Sequence, residues 1–462
     1  MMNLRSTLFV LLMVVVGLIG CSSDPDTPDP GPGTEPPGNE NIQPITKSNR
    51  VIYEVNVRNY STGGNFAGLQ KDLQRLKEVG VDILWLMPIH PIGEQNRGGT
   101  LGSPYSVKDY KAVNPDYGTL ADFKSLVSAA HALNMEVWLD WVANHTAWDH
   151  PWVSEHLDYY AEKNGQRPYS PENWTDVAQL DFNNPGLRAA MIDAMQYWVR
   201  EADIDGYRCD AVTYVPLSFW KEARPEVDKI KKITWLAEGD KPEYMEVFDY
   251  DYAWGFNNDL NDFGKSKDVS KLIQACENLY NNADYASKGR MVYLTNHDLN
   301  AYDGTEFTRY GGFVLPLTVL YFTIYDMPLL YNGQEIGMNK TMGLFDANPV
   351  AWTPVNTTMS NLIKQLTRLK RTQPALESGA GRGTLTRYQT TSSNVYAYSR
   401  KKGDSEVVVL LNFSSAPANT RFNGATPSGE FKNYLSTDTD KLTFTAQTTV
   451  TLPANGYAIY VK

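Results

Sequence analysis

Short apolar runs alternate with amphipathic stretches along most of this chain. The first run is VIYEVNVRNY, residues 51–60, and the stretch FAGLQKDLQRLKEVG that follows it has apolar residues at helical spacing and a terminal glycine. This order predicts a strand followed by a helix. Eight runs are predicted to be strands, and they cover residues 51–60, 81–89, 135–142, 204–212, 233–239, 248–256, 291–296 and 328–333.

Eight continuous apolar strands separated by helices predict an α/β fold, a (β/α)8 TIM barrel, because parallel strands covered on both faces lose the period-2 alternation. We place the barrel at residues 46–377. The connection after the third strand is the longest, and residues 145–185 are predicted to form a short excursion over the barrel mouth. Residues 378–462 contain alternating strands with no helix between them, which predicts a C-terminal antiparallel β-sandwich. The stretch GAGRG at 379–383 is interpreted as a linker turn rather than a phosphate loop.

The amino terminus predicts export. One arginine precedes an apolar run at residues 8–19 that is too short to cross a bilayer, so residues 1–21 are interpreted as a signal peptide. The run ends in LIGC, which resembles a bacterial lipobox and predicts lipid on Cys21; the alternative is an ordinary signal peptide. Residues 22–45 are poor in apolar side chains and predict a disordered acidic Pro/Gly tether. We therefore expect a protein anchored by lipid to the bacterial cell envelope, at the outer membrane.

Composition narrows the range of partners. The net charge of −11 leaves no basic surplus for displacing counterions from phosphates, so a nucleic-acid partner is not expected. The 28 tyrosines and 11 tryptophans suit packing against sugar rings, although aromatic side chains are more often part of a core. Cys209 and Cys276 are interpreted as buried thiols, and no disulfide is predicted.

Four predicted strand ends carry polar residues. The segments are DWVANH (140–145), DGYRCD (205–210), AEGD (237–240) and TNHD (295–298). A single carboxylate there is usually a helix cap or a salt-bridge partner, but strand ends of a barrel meet at one face, where its function lies. The chain has neither an HExxH nor a GxSxG motif, so metal-dependent hydrolysis and serine acyl transfer lack support. Clustered acids without a nucleophilic serine or cysteine favour cleavage of a glycosidic bond.

These segments carry a family resemblance. In order along the chain, VANH, GYRCDAV, the glutamate of LAEGD, and TNHD resemble the motifs of glycoside hydrolase family 13, the α-amylase family. The stretches GSPYSVKDYKAVNPDYGT (102–119) and YNGQEIGM (331–338) match as well. The resemblance extends from about residue 51 to the carboxyl terminus, and it implies a barrel enzyme that acts on α-glucans.

The resemblance implies three catalytic carboxylates. Asp210 would be the nucleophile, and Arg208, two residues earlier on the same strand face, would keep it ionised. Glu238 would be the general acid and then the general base, which requires a raised pKa. Asp298 would hold sugar hydroxyls and favour the distorted transition state.

Further residues are assigned to substrate binding by the same resemblance. His145 and His297 would donate to hydroxyls of the sugar held by the carboxylates, and Asp140 would support the loop after the third strand. Tyr105 would stack beneath that sugar. The alternative for each histidine is an ordinary core imidazole.

Two departures from the family pattern bear on function. Many members have a lysine and then a histidine or glutamate after the nucleophile, whereas this chain has Thr213 and Tyr214, which leaves contacts on the leaving-group side open. Asn144 matches a ligand of the family's structural calcium, but Gln179 occupies the place of the usual aspartate ligand. Since hard cations bind more weakly as carboxylates are lost, we expect this calcium to bind weakly or not at all, and no cofactor is required for the chemistry.

The predicted activity is retaining, internal cleavage of α-1,4-glucosidic bonds in starch, maltodextrins or related α-glucans. One alternative is a neopullulanase, cyclomaltodextrinase or transglycosylating enzyme of the same family. Another is a starch-binding surface lipoprotein without catalysis, which the three carboxylates disfavour.

Overall fold

The computed structural model describes residues 49–437 and 440–462. Its centre is a closed barrel of eight parallel strands, which confirms the predicted fold class. The barrel strands follow one another around the ring in chain order, and they are β1 (Ile52–Val55), β2 (Ile83–Leu86), β3 (Glu136–Trp141), β6 (Gly206–Cys209), β7 (Thr234–Ala237), β8 (Tyr250–Tyr252), β9 (Gly289–Val292) and β10 (Met327–Tyr331). The predicted lipidation site Cys21, the signal peptide and the tether lie outside the described residues.

Side chains of alternate strand residues fill the barrel, as the two faces of a strand require. The interior cluster includes Ile52, Trp85, Trp138 and Leu236, all fully buried. Their neighbours in sequence, such as Tyr53, point outward and pack under the helices. Both faces of each strand are therefore buried, which is why the strands have continuous apolar sequences.

Helices cover the outside of the barrel. They are α1 (Val57–Tyr60), α2 (Phe66–Gln70), α3 (Leu73–Val79), α4 (Leu120–Ala132), α5 (Pro151–Glu155), α6 (Pro185–Ala202), α7 (Leu217–Asp228), α8 (Trp254–Ser266), α9 (Val269–Asn281), α10 (Glu306–Tyr310), α11 (Val314–Thr323) and α12 (Thr357–Thr372). Sequence signals account for several ends: Thr119 and Asp122 form a capping box at α4, and Gly80 ends α3 in a left-handed conformation. Within the described residues, no helix is long and apolar enough to cross a membrane.

The connection after β3 contains its own small sheet. Strand β4 (His145–Ala147) pairs antiparallel with β5 (Val177–Gln179), and helix α5 lies between them in the chain. The register places His145 opposite Gln179. This excursion thus joins two sequence motifs that are more than thirty residues apart.

An antiparallel all-β domain follows the barrel, as predicted. Its strands are β11 (Thr384–Tyr388), β12 (Val395–Lys402), β13 (Ser405–Asn412), β14 (Ala418–Thr420), β15 (Glu430–Asn433), β16 (Lys441–Thr443), β17 (Val450–Leu452) and β18 (Tyr457–Val461). Six of them form a sheet in the order β11-β12-β13-β18-β15-β16, and β14 pairs with β17. The segment Gly379–Gly381, interpreted as a linker turn, is a single 3-10 turn before β11.

The strand near the TNHD motif differs in extent from its prediction. Strand β9 covers Gly289–Val292, whereas the apolar run had suggested 291–296. The chain leaves the sheet after Val292 and enters a π-helical turn at Leu299–Asp303, and the side chain of Asn296 accepts a 2.8 Å hydrogen bond from the backbone N–H of Leu299. Apolar side chains continue beyond the strand because residues 293–297, between the strand and this turn, are themselves buried.

Candidate active site

The carboxyl ends of the barrel strands bring the predicted catalytic groups together. Asp210 directly follows β6 and Glu238 directly follows β7, while Asp140 lies within β3 opposite Arg208. The close approach of β6 to its neighbours depends on Gly206, where an added Cβ would lie 2.6 Å from Trp138 and 2.7 Å from the carbonyl oxygen of Thr234.

One guanidinium group connects three carboxylates. Nη1 of Arg208 lies 2.8 Å from Asp140 and 2.8 Å from Asp210, and Nη2 lies 2.8 Å from Glu238. Nε donates to the hydroxyl of Tyr252 at 3.1 Å. Arg208 is completely buried, so its charge is not weakened by water and it fixes the carboxylates relative to one another.

Burial decides the protonation of the two central carboxyls. It raises the pKa of Asp210 to about 6 and that of Glu238 to about 7, although Arg208 opposes both shifts. The expected lowering of the Asp210 pKa by Arg208 is therefore smaller than the effect of burial. Near neutral pH, Glu238 can hold a proton while Asp210 is mostly ionised, as general acid and nucleophile must be.

The backbone after Asp210 also touches Glu238. Ala211 has φ 44° and ψ 45°, a left-handed conformation that costs an L-residue free energy. In this conformation its N–H donates to Oε2 of Glu238 at 2.6 Å. The strained residue thus holds the general acid candidate beside the nucleophile candidate, a role that no side-chain motif reveals.

The TNHD segment supplies the other wall of the site. Asp298 is 45% exposed and open to a ligand, and its Oδ2 lies 3.4 Å from Nε2 of the buried His297. The same Nε2 lies 2.8 Å from the hydroxyl of Tyr105, which donates to Asp140 at 3.1 Å. The Tyr105 ring stacks on the imidazole with centroids 5.3 Å apart, so these residues form one hydrogen-bonded unit with Arg208 and Asp140.

Sequence reasoning missed one charged member of this unit. The fully buried carboxylate of Glu54 in β1 contacts Nδ1 of His297. Burial lowers the pKa of His297, but Asp298 and Glu54 outweigh it and raise this pKa to about 9. A lone glutamate in the apolar run VIYEVNV was the available signal, because a charge inside a buried strand needs a partner.

A cleft of about 450 Å³ lies over these groups. Asp210, Glu238 and Asp298 line it, and aromatic side chains form much of its rim. The exposed aromatic residues at the rim are Trp174 (37%), Tyr214 (51%), Trp254 (37%) and Tyr302 (67%). Flat apolar faces above a polar floor suit a sugar chain, whose rings have apolar faces and polar edges.

His145 also reaches this cleft. It is buried, its ring lies edge-on to Trp174 with centroids 5.5 Å apart, and burial lowers its pKa to about 4. A neutral His145 therefore faces the cleft, in contrast to His297.

At the calcium position that the family resemblance implies, the side chain of Gln179 places a hydrogen-bond donor. Nε2 of Gln179 lies 2.9 Å from Oδ1 of Asn144, 3.1 Å from its carbonyl oxygen and 3.1 Å from the carbonyl oxygen of Leu180. These oxygens would be ligands for a hard cation, but here they already accept from an amide. Among the residues that the structure describes, no group of three or more His, Cys, Asp or Glu side chains could hold a metal ion. The donor set does not fit calcium.

A buried pair of carboxyls, bridged by arginine under an aromatic-lined cleft at the barrel mouth, defines a glycoside hydrolase. Residues 38–375 match the model of the alpha amylase catalytic domain, and residues 388–462 match that of the alpha amylase C-terminal all-beta domain. The chain belongs to the α-amylase family, glycoside hydrolase family 13.

Similar proteins include amylases from several organisms. The maltogenic alpha-amylase AmyB of Thermotoga neapolitana is 28% identical with a TM-score of 0.81, over 89% of this chain and 98% of that one. An alpha-amylase structure from Lactobacillus plantarum is 31% identical with a TM-score of 0.79, over 90% and 99%. The alpha-amylase MalA of Haloarcula japonica is 27% identical over 416 residues, which cover 84% of this chain and 60% of that protein.

Proposed function

We propose that this protein is a retaining hydrolase of α-1,4-glucosidic bonds in starch, maltodextrins or related α-glucans. The observation that carries the proposal is the pairing of Asp210 and Glu238 through one buried guanidinium, at the floor of an open cleft. Asp298 and His297 stand beside the pair, where they can bind hydroxyls of the same sugar.

The chemistry follows from these positions. Glu238 donates its proton to the glycosidic oxygen as Asp210 attacks the anomeric carbon, so the bond to the leaving sugar breaks and a glycosyl ester forms. Glu238, now ionised, takes a proton from water, and the resulting oxygen nucleophile displaces Asp210. Two inversions retain the α configuration. Proton NMR of freshly formed products tests this, since α-anomers are expected first and β-anomers would contradict the mechanism.

Internal cleavage is proposed because the excursion is short. It contains two three-residue strands and the short helix α5, so it supplies little chain that could close one end of the cleft. Size analysis of amylose products should show rapid loss of long chains before short sugars accumulate. Release of one small product, while the remaining long chains shorten only gradually, would instead indicate exo action.

The leaving-group side supports a second candidate, a transglycosylating or cyclomaltodextrinase-type enzyme. Trp174 and Tyr214 form an exposed ring pair with centroids 5.8 Å apart at the cleft rim. Such a platform can hold an acceptor sugar in place of water, because aromatic faces pack on sugar rings. Product analysis on amylose, pullulan and cyclodextrin separates the two: new longer chains, or preference for the cyclic substrate, would favour the second candidate.

We also propose that the excursion needs no calcium and that the chemistry needs no cofactor. The support is the donor geometry of Gln179, whose amide nitrogen faces three oxygens. Activity and melting temperature should be unchanged by a chelator.

Export and a lipid anchor on Cys21 complete the proposal. Their support lies in the sequence, in the apolar run that ends in LIGC and the acidic segment after it. Replacing Cys21 with serine should release the protein from the membrane fraction. Metabolic labelling with a fatty acid should label the wild-type protein and not the Cys21→Ser variant. An unlabelled native protein would contradict the anchor.

A further inference from the structure

Glu54 occupies an unusual place for a carboxylate. It is fully buried in β1, where it pairs in register with Trp85 of β2 and Tyr331 of β10. Its Oε1 contacts Nδ1 of His297, and its Oε2 has no hydrogen-bond partner within the described residues. A buried charge with a single partner depends strongly on the charge of that partner.

Both nitrogens of the His297 ring face oxygen atoms. Nδ1 faces the carboxylate of Glu54, and Nε2 faces Asp298 at 3.4 Å and the hydroxyl of Tyr105 at 2.8 Å. Ionised carboxylates only accept hydrogen bonds. The single hydroxyl proton of Tyr105 is donated to Asp140 at 3.1 Å, so the same oxygen accepts from Nε2. Each ring nitrogen is therefore placed to donate.

The surrounding charges favour a doubly protonated ring. The charged and titratable groups that face His297 from the elements packed around it are Glu54, Tyr105, Asp140, Arg208 and Asp298. Arg208 is the one cation among these groups, and its guanidinium lies within 2.8 Å of the carboxylates of Asp140, Asp210 and Glu238. Glu54 contacts Nδ1 of the His297 ring and does not line the cleft, whereas His297 does.

We propose that Glu54 is a positioning residue for substrate binding, which holds His297 as an imidazolium; its Nε2–H donates to Tyr105 in the free protein and is placed to donate to a sugar hydroxyl that enters the cleft. This role rests on the proposed function of the site. Glu54 itself does not line the cleft and touches no substrate.

Replacing Glu54 with glutamine separates charge from shape. The amide oxygen can still accept from Nδ1, so the ring orientation is kept, but the negative charge that stabilises the imidazolium is lost. A neutral ring then has no proton on Nε2. Loss of a hydrogen bond to a charged donor should lower kcat/KM by about tenfold to hundredfold, mainly through KM. The deficit should shrink as pH falls and His297 regains its proton.

Glu335 provides a matched control. It is also buried, at 1% exposure, and its carboxylate binds the hydroxyl of Tyr53 and the guanidinium of Arg75 near the end of β10. It does not line the cleft. Glu335→Gln therefore measures the general cost of neutralising a buried carboxylate in this barrel, and its kcat/KM should change little and without the pH-dependent recovery.

Nitrogen-15 NMR of histidine-labelled protein tests the charge directly. The chain has six histidines, and His297→Gln assigns the signal of interest. At pH 7.5 both ring nitrogens of His297 should be protonated in the wild type, and one should lose its proton in Glu54→Gln. A neutral ring in the wild type overturns the proposal even if the variant does not fold. So does a ring that stays charged in Glu54→Gln, or kinetics equal to those of Glu335→Gln. If the wild type hydrolysed no α-glucan, the proposed function would fail, whereas the NMR result would still decide the state of His297.

Discussion

Replacing Gln179 with aspartate should convert a calcium-independent excursion into a calcium-dependent one. In the wild type the amide nitrogen lies within 3.1 Å of two oxygens of Asn144 and one of Leu180. Aspartate has no donor for these three acceptors and adds a negatively charged carboxylate. The result is a pocket of oxygen atoms that suits a hard cation and is unfavourable without one.

The magnitude follows from the number of contacts. An amide nitrogen carries two protons, and each buried hydrogen bond contributes about 1 kcal/mol, with a further cost for acceptors left unpaired, so the variant should lose about 3 kcal/mol of unfolding free energy. Calcium at a hundredfold excess over its dissociation constant restores about 2.7 kcal/mol. Calcium should therefore recover most of the loss. His145 pairs with residue 179 in the sheet, so activity should fall and recover with stability.

Denaturant unfolding followed by tryptophan fluorescence, with EDTA or with calcium, measures both effects. The wild type should give the same curve in both conditions. Gln166→Asp is the matched control, because it makes the same change at an exposed position of the same excursion, and it should behave like the wild type. A wild-type protein that EDTA destabilises would refute this account of Gln179, as would a Gln179→Asp variant that is indifferent to calcium.

Three further predictions concern the carboxylates. The pH profile of kcat/KM should be bell-shaped. Activity should fall at low pH because Asp210, whose pKa is raised to about 6, takes up a proton. Activity should fall at high pH because Glu238, whose pKa is raised to about 7, loses its proton. Arg208→Met should lower the free energy of unfolding by about 3–5 kcal/mol, measured by denaturant titration, because three buried carboxylates lose their shared cation. Asp298→Asn should strongly reduce turnover of soluble starch. It should change the free energy of unfolding by less than about 0.5 kcal/mol, because the Asp298 side chain is 45% exposed. A loss of turnover explained by an equal loss of folded protein would contradict a substrate-binding role.

Much of the barrel could be predicted because its strands are buried on both faces. Continuous apolar runs revealed all eight, and the residues following them pointed to Asp210 and Glu238. Strand lengths were less accessible: β8 covers only Tyr250–Tyr252, since α8 begins at Trp254 within the same aromatic run. An apolar sequence indicates that residues are buried. Residues can remain buried after the backbone hydrogen bonds of a strand have ended, so apolar runs overestimate strand length.

The missed parts of the site depend on contacts between distant segments. Glu54 looked like a single polar interruption in a strand, and its meaning comes from His297, which is 243 positions away in the chain. The left-handed backbone of Ala211 has no sequence signature, because alanine does not favour it. Gln179 was noticed only as a missing carboxylate, whereas the structure shows an amide that satisfies the oxygens around it.

The central claim is that Asp210 and Glu238 cleave the glucan bond, and its most direct measurement is starch hydrolysis by Asp210→Asn and Glu238→Gln. Both changes keep side-chain size, so circular dichroism should show folded proteins. Hydrolysis should fall by about a thousandfold or more in each, because a nucleophile or a general acid is lost. The control is Asp193→Asn, which changes an exposed carboxylate on α6 that pairs with Lys111. This variant should keep full activity. A folded Asp210→Asn or Glu238→Gln variant with near wild-type hydrolysis would contradict the account.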